Sequence, residues 1–287
     1  SEHRCGVVTW FAPQTCTSTK IYSIVISNTM NTEPEKSHSF FALLTDFGFD
    51  FAVASMKGLI LKDFPEAKII DIDHEVRPFS ILSGAFVIDK VYRYFPKGTI
   101  FICVVDPGVG SKREPILLDI GDYKFLGPNN GIFHYLLNDT GVNVKSYVIK
   151  SDFRPDASNT FHGRDLFTPA AIEISKGNLE IFSPVGIDSL ARVQLLEVGN
   201  PIVAYIDRFG NIKTNIVPNE NFKKSDSLTL SVNGINHKIK ISSTFSDVPT
   251  GELLCYLGSN KTLEVAANLA DASKILGVQV GDSISIQ

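Results

Sequence analysis

An α/β protein of two domains is what this sequence predicts: a mostly parallel sheet covered by helices, then a C-terminal antiparallel β-barrel. Three observations predict it. Apolar runs of strand length alternate with helical stretches from Phe40 to Val105. From Asn200 onward no long helical period remains, and short alternating segments follow one another. The length of 287 residues suits one or two domains.

In chain order, the apolar run Phe40 to Leu44 reads as a strand, Thr45-Asp46-Phe47-Gly48 as a turn, and Phe51 to Leu61 as a helix. Lys68 to Ile72 is a second strand, ending in Asp71-Ile72-Asp73-His74. A second helix starts at Ser80, a good N-cap, and runs through Tyr92 to the stop at Pro96-Lys97-Gly98. Ile100 to Val105 is nearly all apolar, which suits a strand buried on both faces. Thr168-Pro169 marks another helix start. Beyond a boundary near Gly199-Asn200-Pro201, strands are expected at 202–206, 212–216, 228–232, 235–241, 253–257, 262–266 and 284–286. Asn233-Gly234 is a two-residue hairpin turn. The domains are therefore 39–199 and 200–287. Residues 1–38 read as a leader or N-terminal extension outside the fold, with Met30 as a candidate start.

Composition narrows the function. Apolar residues make up 44 % and charged residues 20 %, which allows a sizeable core and excludes a disordered chain. Lys and Arg number 27 against 31 Asp and Glu, a net charge of −4, so nothing favours a nucleic-acid partner. No apolar run approaches the roughly 20 residues of a membrane helix, so no membrane partner is expected. Cys5, Cys16, Cys103 and Cys255 show no CxxC pair or metal-ligand rhythm, which fits free thiols in the cytoplasm.

Three predicted strands end in acidic residues: Asp46, Asp71 or Asp73, and Asp106. The carboxyl ends of strands in open α/β sheets form the ligand crevice, so the placement is suggestive, although each residue alone is equally well ordinary turn chemistry. Asp71 and Asp73 share a strand face and could suit a divalent metal, but a short acidic cluster is more often a charge-capped loop. Two glycines in Asp106-Pro107-Gly108-Val109-Gly110 permit close backbone approach, and the loop is long enough to fold Arg113 back onto Asp106. His162 stands beside Gly163, where a structural histidine is the ordinary reading. Asp207-Arg208-Phe209-Gly210-Asn211 alone reads as a hairpin loop.

Together and in this order, Thr45 to Gly48, Asp106 to Gly110 with Arg113, Gly127-Pro128-Asn129-Asn130-Gly131, Phe161 to Asp165, and Ile206-Asp207 with Phe209-Gly210-Asn211 carry a resemblance. They resemble the S-adenosylmethionine hydroxide adenosyltransferases, relatives of the S-adenosylmethionine-dependent fluorinases and chlorinases. The resemblance spans residues 40–287 and implies an α/β domain, a C-terminal β-barrel, and a homotrimer with ligand sites between subunits. It also implies hydrolysis of S-adenosyl-L-methionine, a small-molecule substrate, to adenosine and L-methionine, with no metal and no cofactor. The family's catalytic set falls on Asp106, Arg113 and His162. Asp46 would take the ribose hydroxyls, Asp207 the methionine ammonium, and Asn211 and the backbone near Ala267 the adenine. Ser259 and Glu264 match a segment near the amino-acid end and the adenine; Asn260 departs from the fluorinase arginine there. Phe79, Phe161, Phe209 and Phe245 would line the adenosine pocket. The alternatives are a halogenase of the same fold, a metal-dependent phosphoesterase built on Asp46, Asp71, Asp73 and His74, and a non-enzymatic binder. The halogenases carry tyrosine where this chain has Asp106.

Overall fold

The structure, a computed structural model, describes residues 40–137, 143–193, 200–220, 222 and 225–287. The expected leader and Gly199 of the expected boundary lie outside the described residues. Strand β1 (Phe40–Thr45) has Phe41 to Leu44 fully buried. Asp50 caps α1 (Phe51–Asp63) by accepting from Ala52 N. After β2 (Lys68–Asp73), Ser80 caps α2 (Ile81–Val91) through Ser83 N, as its sequence position predicts. Strand β3 (Ile100–Val104) is buried throughout. The hairpin β4 (Pro115–Ile120) and β5 (Tyr123–Pro128), then α3 (His134–Leu137), β6 (Val144–Ile149), α4 (Thr168–Ser175) and β7 (Phe182–Pro184) complete the first sheet and its helices.

The sheet order is β2-β1-β3-β5-β4-β6-β7. The first four strands are parallel, and β4, β6 and β7 join by antiparallel pairings, so five of the seven strands point one way. Side chains alternate between two cores, as the two-residue period of a strand requires. Phe41, Leu43 and Ile102 meet Met56 and Ile60 of α1 and Ala170 and Ala171 of α4 on one face. Ala42, Leu44, Phe101 and Cys103 meet Ile88 of α2 on the other.

The second sheet comprises β8 (Val203–Ile206), β9 (Ile212–Thr214), β10 (Ser227–Val232), β11 (Ile235–Ile241), β12 (Leu253–Leu257), β13 (Leu263–Ala267) and β14 (Ile284–Ile286), with the short helix α5 (Ala272–Leu276) before the last. Its order is β14-β10-β11-β12-β13-β9-β8, and an antiparallel bridge from Ile202 to Ser283 brings the two edges together into a nearly closed barrel. The pairing is antiparallel except for β11 with β12, which the segment 242–252 joins. Asn233 and Gly234 both adopt positive φ, 51° and 77°, as a type I′ hairpin turn requires. Cys103 in the first sheet and Cys255 in the barrel are buried free thiols. No helix among the described residues is long and apolar enough to cross a membrane.

Candidate active site

Asp106 follows the carboxyl end of β3, and the turn after it brings Arg113 back. Arg113 Nε donates to both Asp106 oxygens at 3.1 and 2.9 Å, and Nη2 donates to Oδ2 as well. The same Nη2 donates to His162 Nδ1 at 2.6 Å. The Asp106 and Arg113 side chains are 4 % and 8 % exposed, so this ion pair is shielded from water. Arg113 Nη1 is buried with no hydrogen-bond partner among the described residues.

Backbone features hold this set in place. Pro169 has no N–H to continue the α register, and Thr168 N reaches five residues back to Gly163 O. The result is a single π turn over Gly163–Phe167, so the helix begins a turn before the expected Thr168-Pro169 start and His162 stands at its head. Asn130, in the segment Gly127 to Gly131, donates its amide to Val105 O at 2.9 Å, fixing the residue before Asp106. Burial first, and then the Arg113 charge, hold the His162 imidazole below its ordinary pKa against the pull of Asp106 and Asp165. A guanidinium can only donate, so the neutral ring accepts at Nδ1 and carries its proton on Nε2.

Asp106 and His162 share a cavity of about 220 Å³ with Asp46, Phe47, Phe79 and Phe161. Asp46 Oδ2 accepts from Phe79 N at 2.9 Å, and Phe79 stands in the left-handed region at φ 66° with 72 % of its surface exposed. Sequence-distant acids and aromatics thus meet at the carboxyl ends of β1 and β3, where an open α/β sheet places its ligand.

A second cavity, about 840 Å³, opens in the barrel domain and is lined by Asp207, Phe209, Asn211, Phe245, Tyr256 and Ala267 among others. Asp207 Oδ1 accepts from Phe209 N and Asn211 N, and Oδ2 from Asn211 Nδ2, all at 3.0 Å. Much of its carboxylate therefore organises its own loop, which is the hairpin reading. Glu264 does not line the cavity. It is buried behind Tyr256, whose hydroxyl donates to Oε2 at 2.9 Å, while Lys213 Nζ stands 2.7 Å from the same oxygen. Ser259 lies exposed in the turn after β12 and lines neither cavity. No residue lines both cavities.

The acidic run at the end of β2 is spent on protein partners. Asp71 faces Lys57 and His74, and their hydrogen bonds outweigh burial to hold its carboxyl below the ordinary range. Asp73 Oδ1 accepts from Glu75 N at 2.8 Å. Among the described residues no group of three His, Cys, Asp or Glu side chains is placed to hold a metal. Sequence reasoning missed Asn130 and Tyr256 as site-forming residues. Asn130 lay inside a matching motif without a role, and an aromatic in a strand reads as core.

Residues 41–183 match the N-terminal domain of the SAM hydroxide adenosyltransferases, and residues 201–285 match the C-terminal domain. The chain belongs to this family. The (R)-S-adenosyl-L-methionine hydrolase of Methanocaldococcus jannaschii is 36 % identical over 259 residues, covering 85 % of this chain and 94 % of that protein. A fluorinase of Nocardia brasiliensis is 25 % identical over 288 residues, covering 86 % and 96 %. A solved structure of a conserved protein from Thermotoga maritima superposes with a TM-score of 0.75 at 34 % identity, covering 86 % of this chain and 99 % of that one.

Proposed function

We propose that this protein hydrolyses S-adenosyl-L-methionine to adenosine and L-methionine, and that it takes the epimer with (R) configuration at sulfur. The L descriptor already fixes the α carbon, so the (R) in its relatives' name describes the sulfonium centre. The observation that carries the reading is the shielded Asp106–Arg113–His162 contact at the wall of a cavity that also holds Asp46.

A water oxygen attacks the ribose 5′ carbon as the C5′–S bond breaks, and the bonding pair leaves on sulfur as a neutral thioether. The oxygen becomes an alkyl oxonium, itself a strong acid. A carboxylate is base enough for that proton, so Asp106, held in place by Arg113, accepts it. His162, with Nδ1 occupied by Arg113, turns Nε2–H toward the attacking oxygen or its water, and the buried Nη1 of Arg113 is a further donor. The sulfonium is already activated, so the reaction calls for no metal or cofactor, and a chelator should leave the rate unchanged. Asp46 holds the ribose diol. The barrel cavity takes the adenine between Phe209, Phe245 and Tyr256, with Asn211 and the Ala267 backbone at its edge and Asp207 toward the methionine ammonium.

The two cavities complete one site if the first cavity of one subunit faces the barrel cavity of the next in a homotrimer. The exposed rims favour this: Phe209 is 70 % exposed and Leu269 87 %. Buried free thiols and a soluble substrate suit the cytoplasm. A halogenase reading is disfavoured by Asp106, because a carboxylate in the cavity wall repels a halide. The test is product analysis after incubation with each sulfonium epimer and chloride. Adenosine and methionine from the (R) epimer are expected. 5′-Chloro-5′-deoxyadenosine would overturn the hydrolase, and faster loss of the (S) epimer would overturn the stereochemical assignment.

A further inference from the structure

We propose that Thr45, His74 and Asp71 form a positioning network that orients the Asp46 carboxylate for a vicinal diol, so that affinity for the ribose is set by side chains that do not touch it. Thr45 and His74 are completely buried. Thr45 Oγ1 lies 2.8 Å from His74 Nδ1, and His74 Nε2 lies 2.9 Å from Asp71 Oδ1. Lys57 Nζ on α1 holds the other Asp71 oxygen at 2.5 Å. The Asp71 carboxylate can only accept, so the imidazole donates from Nε2 to Asp71; in the neutral ring Nδ1 then accepts the Thr45 hydroxyl proton, while Thr45 Oγ1 accepts from Phe47 N at 3.3 Å.

The same histidine grips the other side of the turn, because Gly48 N donates to His74 O at 2.7 Å. Asp46 is thus carried on a backbone pinned before and after it to one buried residue. Its carboxylate meets Phe79 N, on the segment that His74 leads into. The Phe49 ring stands T-shaped to the imidazole, with centroids 5.4 Å apart, and covers the network from outside. A connected chain of this kind, buried at Thr45 and His74 and reaching solvent at Asp71, fixes geometry more firmly than its separate bonds would. A network that only held strand ends together would serve as well with any loop conformation at Asp46.

The inference rests on the proposed role of Asp46 toward ribose, and the experiment separates the two. Asp46→Ala, Thr45→Val, Thr45→Ser and Asp71→Asn are compared by KM and kcat for the substrate and by inhibition constants for adenosine and 2′,3′-dideoxyadenosine. Thr45→Val should raise KM about tenfold with kcat held within about threefold, the signature of lost uniform binding. It should weaken adenosine in proportion and leave 2′,3′-dideoxyadenosine unchanged. Thr45→Ser should restore the native values, and Asp71→Asn, at a solvent-exposed position, should follow Thr45→Val in milder form. Unchanged KM in Thr45→Val and Asp71→Asn beside a raised KM in Asp46→Ala would overturn the network, as would equal weakening of both inhibitors. Unchanged KM in Asp46→Ala would overturn the ribose role itself.

Discussion

The cavity at the end of the parallel strands and the cavity in the barrel place their shielded ion pairs differently. In the first, Asp106 and His162 stand in the wall, tied by Arg113, within a space of about 220 Å³. In the second, of about 840 Å³, Asp207, Arg208 and Asp271 share the lining with Phe209, Phe245 and Tyr256, while the buried Glu264–Lys213 pair stays behind Tyr256 and out of the lining. A small space with ionised walls can fix one water and take its proton. A wide aromatic space can hold a flat ring by area and stacking. The contrast teaches that the same kind of shielded ion pair can stand at a cavity wall, where the proposed reaction would use it, or behind one, where it braces the strands.

The largest effect should come from Asp106→Asn, which keeps the side-chain shape and removes the charge. Turnover should fall by about 10²-fold or more, the scale for losing a positioned acid-base group. Calorimetric titration should show substrate affinity little changed, and loss of both together would move Asp106 to the binding side of the division. Next, Glu264→Ala strands Lys213 and the Tyr256 hydroxyl. A loss of about 3 kcal/mol in denaturant unfolding is expected, as for breaking a buried pair, with kcat unaffected. Unchanged stability would show that packing alone holds the barrel wall.

Gly210→Ala tests the loop that carries Asp207 and Asn211. Gly210 has φ +82°, and an added Cβ would lie 2.1 Å from Asp271 Oδ1, so the loop must shift. KM should rise about tenfold, roughly 1.4 kcal/mol, with kcat little altered. The smallest effect is a titration. His162 is neutral above its lowered pKa and becomes cationic below it, losing its hold on Arg113. Activity should therefore stay level from neutral pH downward and fall only below the ordinary histidine range. Asp106 pulls that pKa upward, so NMR titration of Asp106→Asn should find it lower still. A rise would mean that Asp106 does not face the ring.

Local signals made much of the fold legible. Ser80, Asn233-Gly234 and the run Ile100 to Val104 dictate a cap, a hairpin and a buried strand through their own chemistry. Strands β6 and β7 left no comparable pattern: Val144–Ile149 mixes lysine, serine and tyrosine, and Phe182–Pro184 has three residues. Arg113 and His162 are 49 positions apart, and no spacing rule joins them; only the ordered motifs of a family pointed to the pair. Glu264 was expected beside the ligand because sequence does not say which way a strand carboxylate turns, and Tyr256 claimed it. His74 looked like a metal ligand among acids, whereas its partners Thr45 and Lys57 come from other elements.

Cys103 and Cys255 place one buried sulfur in each sheet, and burial pushes the Cys103 thiol far above its ordinary pKa and the Cys255 thiol up to about 12. Neither forms an appreciable thiolate in the native protein at neutral pH, so alkylating reagents reach them only through opening of the surrounding strands. The two sulfurs are therefore a pair of internal clocks. Timed alkylation followed by peptide mass spectrometry would read, from one sample, how often the catalytic sheet and the barrel each come apart.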